Sequence, residues 1–320
     1  MTVIALEMFW NGVSIVLSVL LMIGIGMLLS RLGWLTSQAN DLLAKLVTHV
    51  ALPCMTFSQL LTYYHREELL ASLPSLAAAC ASVGLLYALS EPISRLTRVP
   101  AAQRGVFRAT MTFSNTIFIG LPINTALFGE RALPPALLYY LANTALFWIV
   151  GVNGIQADGG AARAGFSWAT LKRALTPPLI SFTLSLAIIL LGAPVPLSVM
   201  QAAGYVGNLV TPLAMFFIGG MLHRMLRKGL RWRRGYTAIV LSRFVLSPAL
   251  ILGLTYLLGG MSPLWRGVFL VQASMPAQSS CAIVAHSYRA DSEYAAGGIT
   301  VTTLLSMLTI PLFAALSTAL

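Results

Sequence analysis

Charged residues are scarce in this sequence. Asp, Glu, Lys and Arg together account for 9% of the 320 residues, and hydrophobic residues account for 58%. Soluble domains average about 25% charged residues, so the composition excludes an ordinary soluble globular protein. Cysteine is also rare, and Cys54, Cys80 and Cys281 all lie inside apolar segments. That placement is typical of small buried side chains and argues against a disulfide framework.

The sequence also lacks the motifs of common catalytic sites. It contains no Walker A motif, no G-x-S-x-G elbow, no zinc-ligand spacing and no pair of carboxylates inside an apolar run. We therefore expect no enzyme activity, no cofactor, no bound metal and no ATP-driven motor.

Long apolar runs dominate the chain and approach the roughly 20 residues that a helix needs to cross a bilayer. We predict ten spans, at about residues 8–30, 40–63, 70–90, 105–128, 133–155, 174–192, 199–222, 236–259, 264–286 and 294–318. The runs are continuously apolar, which argues against a barrel. No Lys or Arg precedes the first run and no clear cleavage site follows it, so we expect an uncleaved first span.

Lysine and arginine are distributed unevenly between the loops. Of the 20 such residues, 16 lie in loops after odd-numbered spans, three lie on the opposite face, and Arg243 lies within a span. Since cytoplasmic loops are enriched in Lys and Arg, we expect the odd-numbered loops in the cytoplasm and both termini outside. The basic run at 224–234 is typical of contact with anionic lipids and argues against nucleic-acid binding.

The two halves of the chain resemble each other. Arg104-Gly105-Val106-Phe107 recurs 162 positions later as Arg266-Gly267-Val268-Phe269, and each tetrapeptide precedes an interrupted apolar segment. Ala51-Leu52-Pro53 in span 2 likewise corresponds to Val210-Thr211-Pro212 in span 7. Because five is an odd number, a second five-span copy enters the membrane inverted, and spans 4 and 9 then cross near the midplane.

The interrupted segments carry the candidate site. Ser114 to Pro122 in span 4 and Ser274 to Cys281 in span 9 combine polar side chains with glycine or proline. Where a broken helix restarts, its free N–H groups and the positive end of its dipole form an anion site. The predicted substrate-binding residues are Ser114, Asn115, Thr116, Gly120, Pro122, Pro276, Ala277, Gln278, Ser279, Ser280 and Cys281. The alternative is that Pro122 and Pro276 are ordinary kinks, since proline is common in membrane helices.

These motifs resemble the auxin efflux carrier family. The resemblance rests on Asn115-Thr116 with Gly120-Leu121-Pro122, on Ala51-Leu52-Pro53, on Pro276 with the later Tyr288, and on Thr302-Thr303-Leu304-Leu305-Ser306. The family includes the plant PIN carriers and bacterial relatives described as malonate or organic-acid permeases. The plant carriers have a second proline where this chain has Cys281, so we expect the span 9 break between Pro276 and Cys281. Their long cytoplasmic loop is reduced here to about 156–173.

The resemblance implies an all-α membrane protein with ten transmembrane helices. The fold would be similar to that of bile-acid symporters and sodium–proton antiporters, with two inverted five-helix repeats at 1–158 and 159–320 and a crossing of broken helices 4 and 9 that binds a carboxylate. Helices 1, 2, 6 and 7 would form a scaffold, and helices 3–5 and 8–10 a moving transport domain. The bacterial relatives imply the inner membrane as the location.

Arg243 and His49 lie well inside predicted spans, and each has two alternative interpretations. Arg243 either attracts an anionic substrate or extends to the surface and anchors its helix. His49 is either a proton-coupling site or a packing residue with a satisfied polar group. By contrast, all nine acidic residues lie at span ends or in loops. This argues against an antiporter that cycles a buried aspartate and favours an anionic substrate.

The sequence thus predicts a secondary carrier for a small organic anion, a mono- or dicarboxylate of the malonate or auxin type, working by alternating access in an elevator-type motion. Two alternatives stay open: a sodium-coupled symporter of larger organic anions, and a non-transporting membrane ligand sensor on the same fold. The expected partners are the anion, a coupling proton or sodium ion, and membrane lipids. A homodimer is expected only by analogy with elevator carriers.

Overall fold

A computed structural model describes residues 17–18, 20–63, 72–160, 177–229 and 231–318, and the regular structure within these ranges is helical. The first half contains α1 (Leu20–Arg31), α2 (Ser37–Leu46), α3 (Leu52–Tyr63), α4 (Leu73–Leu96), α5 (Arg104–Thr112), α6 (Leu121–Phe128), α7 (Leu133–Leu146) and α8 (Val152–Asp158). The second half contains α9 (Pro177–Leu191), α10 (Leu197–Gly207), α11 (Val210–Lys228), α12 (Tyr236–Leu241), α13 (Ser247–Leu258), α14 (Pro263–Ala273), α15 (Ser280–Ser287) and α16 (Ser292–Thr318). The start of the predicted first span and most of the loop before α9 lie outside the described residues.

Five continuous helices in the described ranges are long and apolar enough to cross a bilayer. They are Leu73–Leu96, Glu130–Asp158, Leu197–Arg224, Tyr236–Leu258 and Ser292–Ser317. Shorter apolar helices cover Leu20–Arg31, Thr116–Phe128 and Ile180–Leu191. The prediction of an all-helical protein with membrane-spanning helices is therefore confirmed.

At three places in the described structure a π-helical turn precedes a proline, and the helix continues through that proline. A proline lacks its N–H and its ring clashes with the carbonyl one turn earlier. A π-helical turn resolves this conflict, and one stands two residues before each of three prolines: Val47–Ala51 before Pro53, Thr116–Gly120 before Pro122, and Ser242–Leu246 before Pro248. Pro122 therefore lies in the first turn of α6, and the prediction that it interrupts span 4 is wrong.

The chain is broken between α5 and α6 and again between α14 and α15, and the two breaks cross each other. α5 ends at Thr112 and Phe113 is extended, whereas α14 ends at Ala273 and the helix resumes at Ser280. Ser114 and Ala277 form an isolated antiparallel bridge. Its flanking hydrogen bonds run from Asn115 N to Pro276 O at 2.8 Å and from Gln278 N to Phe113 O at 2.9 Å. Unpaired backbone N–H and C=O groups are costly in hydrocarbon. Here each break supplies hydrogen-bond partners for backbone groups of the other break.

Side chains from the following helices complete the bridge. The N–H of Ser114 donates to Asn143 Oδ1 at 3.1 Å, and the N–H of Ala277 donates to Thr302 Oγ1 at 3.1 Å. Asn143 belongs to α7 and Thr302 to α16, the helices that follow the two broken segments. The crossing is thus bonded in a similar manner on both sides.

Arg243 joins the carboxyl ends of the two broken segments. Its side chain is fully buried. The guanidinium donates to the carbonyl oxygens of Met111, Thr112, Ala273 and Met275 and to the hydroxyl of Ser114. These carbonyls lie at or just beyond the ends of α5 and α14, where helix carbonyls lack intrahelical partners and the dipole is negative. One cation therefore stabilises two buried helix ends.

Glycine allows two pairs of helices to pack with their backbones in contact. A Cβ atom on Gly219 in α11 would lie 2.2 Å from the carbonyl oxygen of Ile23 in α1. A Cβ atom on Gly105 in α5 would lie 1.9 Å from the carbonyl oxygen of Gly154 in α8. Small residues at such interfaces are typical of membrane helices.

We expect Gly219→Ala to destabilise the protein, because a methyl group cannot fit between α11 and α1. Overpacking costs about 1–3 kcal/mol, so the thermal unfolding midpoint in detergent should fall by several degrees. Gly24→Ala is the matched control, since no atom lies within 4 Å of its added Cβ. Equal midpoints for the two variants would contradict the proposed contact.

We also expect Arg243→Met to destabilise the protein strongly, because it leaves buried carbonyls without donors. Each unsatisfied buried group costs about 1–3 kcal/mol, so the midpoint should fall by at least about 5 °C. Arg243→Lys, with fewer donors, should lie between this variant and wild type. Arg95→Met, at an exposed residue, is the control. Normal stability of Arg243→Met combined with weaker substrate binding would assign Arg243 to the substrate instead.

Candidate functional site

A cavity of about 260 Å³ lies beside the crossing. Six predicted site residues line it: Ser114, Asn115, Thr116, Gln278, Ser279 and Ser280. His49 lines the opposite wall, together with Thr48 from the same π-helical turn. The structure thus brings residues from both halves of the chain into one cavity.

Two helices point their amino ends at this cavity. The π-helical turn Thr116–Gly120 leads into α6, and α15 begins at Ser280. A helix amino end carries free N–H groups and about half a positive charge, which favours anions. The hydroxyl groups of Thr116, Ser279 and Ser280 add polar groups at the same surface.

Asn115 connects the two helix amino ends. Its Oδ1 caps the first turn by accepting from the N–H of Phe118 at 3.2 Å, and its Nδ2 donates to Ser279 Oγ at 3.1 Å. The side chain is 2% exposed, so its orientation is fixed by these contacts. Asn115 therefore sets the distance between the two amino ends.

Asn143 is a site residue that sequence reasoning missed. Its Nδ2 donates to the Ser114 carbonyl and to Gln278 Oε1, both at 3.2 Å. Because the Gln278 oxygen accepts from Asn143, the amide nitrogen of Gln278 is the donor left for a ligand. The signal was present as the polar pair Asn143-Thr144 in an otherwise apolar run, but no proline or glycine lies close to this pair to mark an interrupted helix.

The remaining walls of the cavity are apolar and aromatic. They are formed by Ile117, Phe118, Tyr140, Trp148, Pro177 and Pro178. Among the described residues that line the cavity there is no Asp, Glu, Lys or Arg. A ligand with one polar end and an uncharged body fits this division of the surface.

His49 is the histidine among the described residues that line the cavity. Its Nδ1 lies 2.8 Å from Thr48 Oγ1, and the hydroxyl of Thr48 in turn donates to the Ala44 carbonyl at 2.8 Å. Its side chain is exposed. This places a proton-binding group across the cavity from the crossing.

Other predicted site residues lie outside the cavity lining. Arg243 directs its N–H groups to carbonyl and hydroxyl oxygens, so its donors are taken before any anion arrives. It neither extends to the surface nor faces the cavity. Gly120, Pro122, Pro276, Ala277 and Cys281 are buried within the crossing and do not line the cavity. A Cβ at Gly120 would lie 2.1 Å from Gln272 Oε1, so a larger residue there would displace the side-chain amide of Gln272.

Metal-ligating side chains are not clustered in the part of the chain that the structure describes. No group of three or more His, Cys, Asp or Glu side chains there could hold a metal ion.

Known proteins similar to this chain are transporters. An uncharacterized transporter from Methanothermobacter thermautotrophicus is 26% identical over 314 residues, covering 95% of this chain and 98% of the relative. An uncharacterized transporter from Methanocaldococcus jannaschii is 27% identical over 310 residues, covering 94% and 97%. A Rhizobium meliloti protein named "Putative malonate transporter" is 26% identical over 295 residues, covering 90% of each chain.

The family comparison covers almost the whole chain. Residues 12–314 match a family described as membrane transport protein. The expectation that the chain is not an enzyme is confirmed, because the family and these relatives are transporters. The chain therefore belongs to the membrane transport protein family, which is the auxin efflux carrier family that its sequence resembles.

Proposed function

We propose that this protein is a secondary carrier of a small organic anion, a mono- or dicarboxylate. The observation that carries the proposal is the cavity at which two helix amino ends meet around Asn115. Discontinuous membrane helices that aim their amino ends at a central site are typical of secondary transporters for anionic substrates. The Rhizobium meliloti relative supports malonate as the first substrate to test.

The proposed architecture is ten membrane segments in two inverted repeats, 1–158 and 159–320. Three features support it: the recurring tetrapeptide, the bridge between Ser114 and Ala277, and the matched hydrogen bonds that the N–H groups of these two residues donate to Asn143 and Thr302. Segments 1, 2, 6 and 7 would form the scaffold, and segments 3–5 and 8–10 the domain that moves. In these terms His49 belongs to the scaffold and Asn115 to the moving domain.

We infer the side of the membrane toward which the cavity opens from the distribution of Lys and Arg between the loops. The cavity is lined by Trp148 near the end of the fifth segment and by Pro177 at the start of the sixth. The loop between these two segments is one of the basic loops assigned to the cytoplasm. The structure would then be a state open to the cytoplasm of a bacterial inner membrane, with both termini on the other side.

The coupling ion is proposed to be a proton that binds His49. Support comes from its position in the wall and from the lack of carboxylates among the described lining residues, since sodium sites are usually built from oxygen ligands such as carboxylates and carbonyls. A sodium-coupled symporter of larger anions predicts uptake that requires sodium. A ligand sensor predicts saturable binding without flux. Membrane lipids and a homodimeric partner stay predictions from the sequence and from analogy.

We expect Asn115→Asp to fold and to lose transport. The carboxylate keeps the oxygen that caps the N–H of Phe118, but its negative charge repels an anion between the helix ends. Counterflow of malonate, or of another transported carboxylate, in proteoliposomes should fall at least about tenfold.

Asn153→Asp is the matched control for this charge change. Asn153 lies in α8 outside the cavity lining, and its amide donates to the Ile149 carbonyl. Unchanged carboxylate flux in Asn115→Asp would refute the assignment of the site. A gain of organic-cation transport in this variant would refute the assignment of an anionic substrate.

We expect His49→Gln to retain carboxylate counterflow and to lose stimulation by an imposed pH gradient. Glutamine preserves polarity but cannot bind a proton near neutral pH. The measurement is uptake in sodium-free proteoliposomes with and without an acidic exterior. Uptake that needs sodium, or that keeps its response to the gradient in His49→Gln, would disprove proton coupling through this residue.

A further inference from the structure

A second, larger pocket lies at the opposite end of the fifth segment from the crossing cavity. Its volume is about 430 Å³, and its walls include Pro134 and Pro135 at the start of α7. Trp148, in the crossing cavity, lies 14 positions further along the same helical segment, which corresponds to roughly 20 Å. The lining of the crossing cavity begins at Tyr140, five positions after Pro135, so the two pockets lie at successive levels along this helical segment.

The chemistry of this outer pocket suits an organic anion. The exposed Arg131 lines it, and Arg is the side chain best suited to hold a carboxylate through two parallel hydrogen bonds. Tyr63 and Trp265 add aromatic surface, and Ser72, Ser75 and Ser262 add hydroxyl groups. The combination of a cation, hydroxyls and flat apolar walls is what a carboxylate with an organic body requires.

Two neighbouring charged side chains contact lining residues but do not line the pocket themselves. Glu130 precedes Arg131 in the sequence, but its Oε2 accepts from the Tyr63 hydroxyl at 2.8 Å. Arg266 donates from Nε and Nη2 to the Met261 carbonyl, at 3.1 and 2.9 Å, and its guanidinium lies 4.8 Å from the centre of the Tyr256 ring. Among the described residues that line the pocket, Arg131 is the charged one.

We propose that the outer pocket is a second binding site for carboxylates, separate from the crossing and centred on Arg131. This inference rests on the proposed function in one respect, which is that the ligand belongs to the same class as the transported anion. Its location in a 430 Å³ pocket with aromatic walls favours an organic carboxylate over inorganic phosphate or a lipid headgroup.

Binding to the purified full-length protein tests this directly, because each pocket contains one tryptophan. Trp148 lines the crossing cavity and Trp265 the outer pocket. In a Trp148→Phe and Asn115→Asp background, titration with malonate or benzoate should still change the tryptophan fluorescence, and Trp265→Phe should remove that change although four other tryptophans remain. Adding Arg131→Gln should weaken that binding by roughly 5-fold to 20-fold, whereas Arg131→Lys should weaken it less.

Arg95→Gln is the control for the loss of one exposed arginine. It lies at the far end of α4, where it pairs with Glu91 at 2.8 Å, and should leave binding unchanged. The proposal is overturned if Arg131→Gln binds both carboxylates like its parent, or if binding disappears in the Asn115→Asp background. It is also overturned if phosphate or phosphatidylglycerol vesicles compete better than the carboxylates. The fluorescence titration does not require transport. It therefore distinguishes the absence of the outer site from an error in the proposed carrier function.

Discussion

The structure depends on the burial of one guanidinium between two helix ends. A helix that stops inside the membrane leaves carbonyl groups without partners, and two such ends meet here in space. Arg243 satisfies both at once, with donors to Met111 and Thr112 on one side and to Ala273 and Met275 on the other. A buried charge of this kind is tolerable only because every donor has an acceptor.

This arrangement separates the two kinds of helix end. The carboxyl ends of α5 and α14 face a cation supplied by the protein, so they need nothing from outside. The amino ends that lead into α6 and α15 face a cavity instead, and their positive potential is available to a ligand. Backbone dipoles and neutral side chains bind an anion less tightly than an arginine fork does, which suits a carrier that must also release its substrate.

Much of this could be predicted from the sequence, and the errors have identifiable causes. The polar segments Ser114–Thr116 and Gln278–Ser280 were located because polar residues in an apolar run are conspicuous. The role of Arg243 could not be predicted, because the sequence does not show which neighbouring groups a side chain contacts in the fold. Pro122 was misassigned because a π-helical turn accommodates its ring. Asn143 was overlooked because no proline or glycine lies close to it to mark an interrupted helix.

The place of Arg243 has an electrical consequence for the carrier cycle proposed above. Its guanidinium belongs to the segments that would move, so an empty domain carries this positive charge while a domain loaded with a monoanion is neutralised. A charge that crosses the whole membrane field gains or loses about 2.3 kcal/mol per 100 mV. An inside-negative voltage would then leave the loaded step nearly unaffected and draw the unloaded domain back toward the cytoplasm. The membrane voltage would thus act mainly on the return of the unloaded domain, and this asymmetry would favour export of the anion.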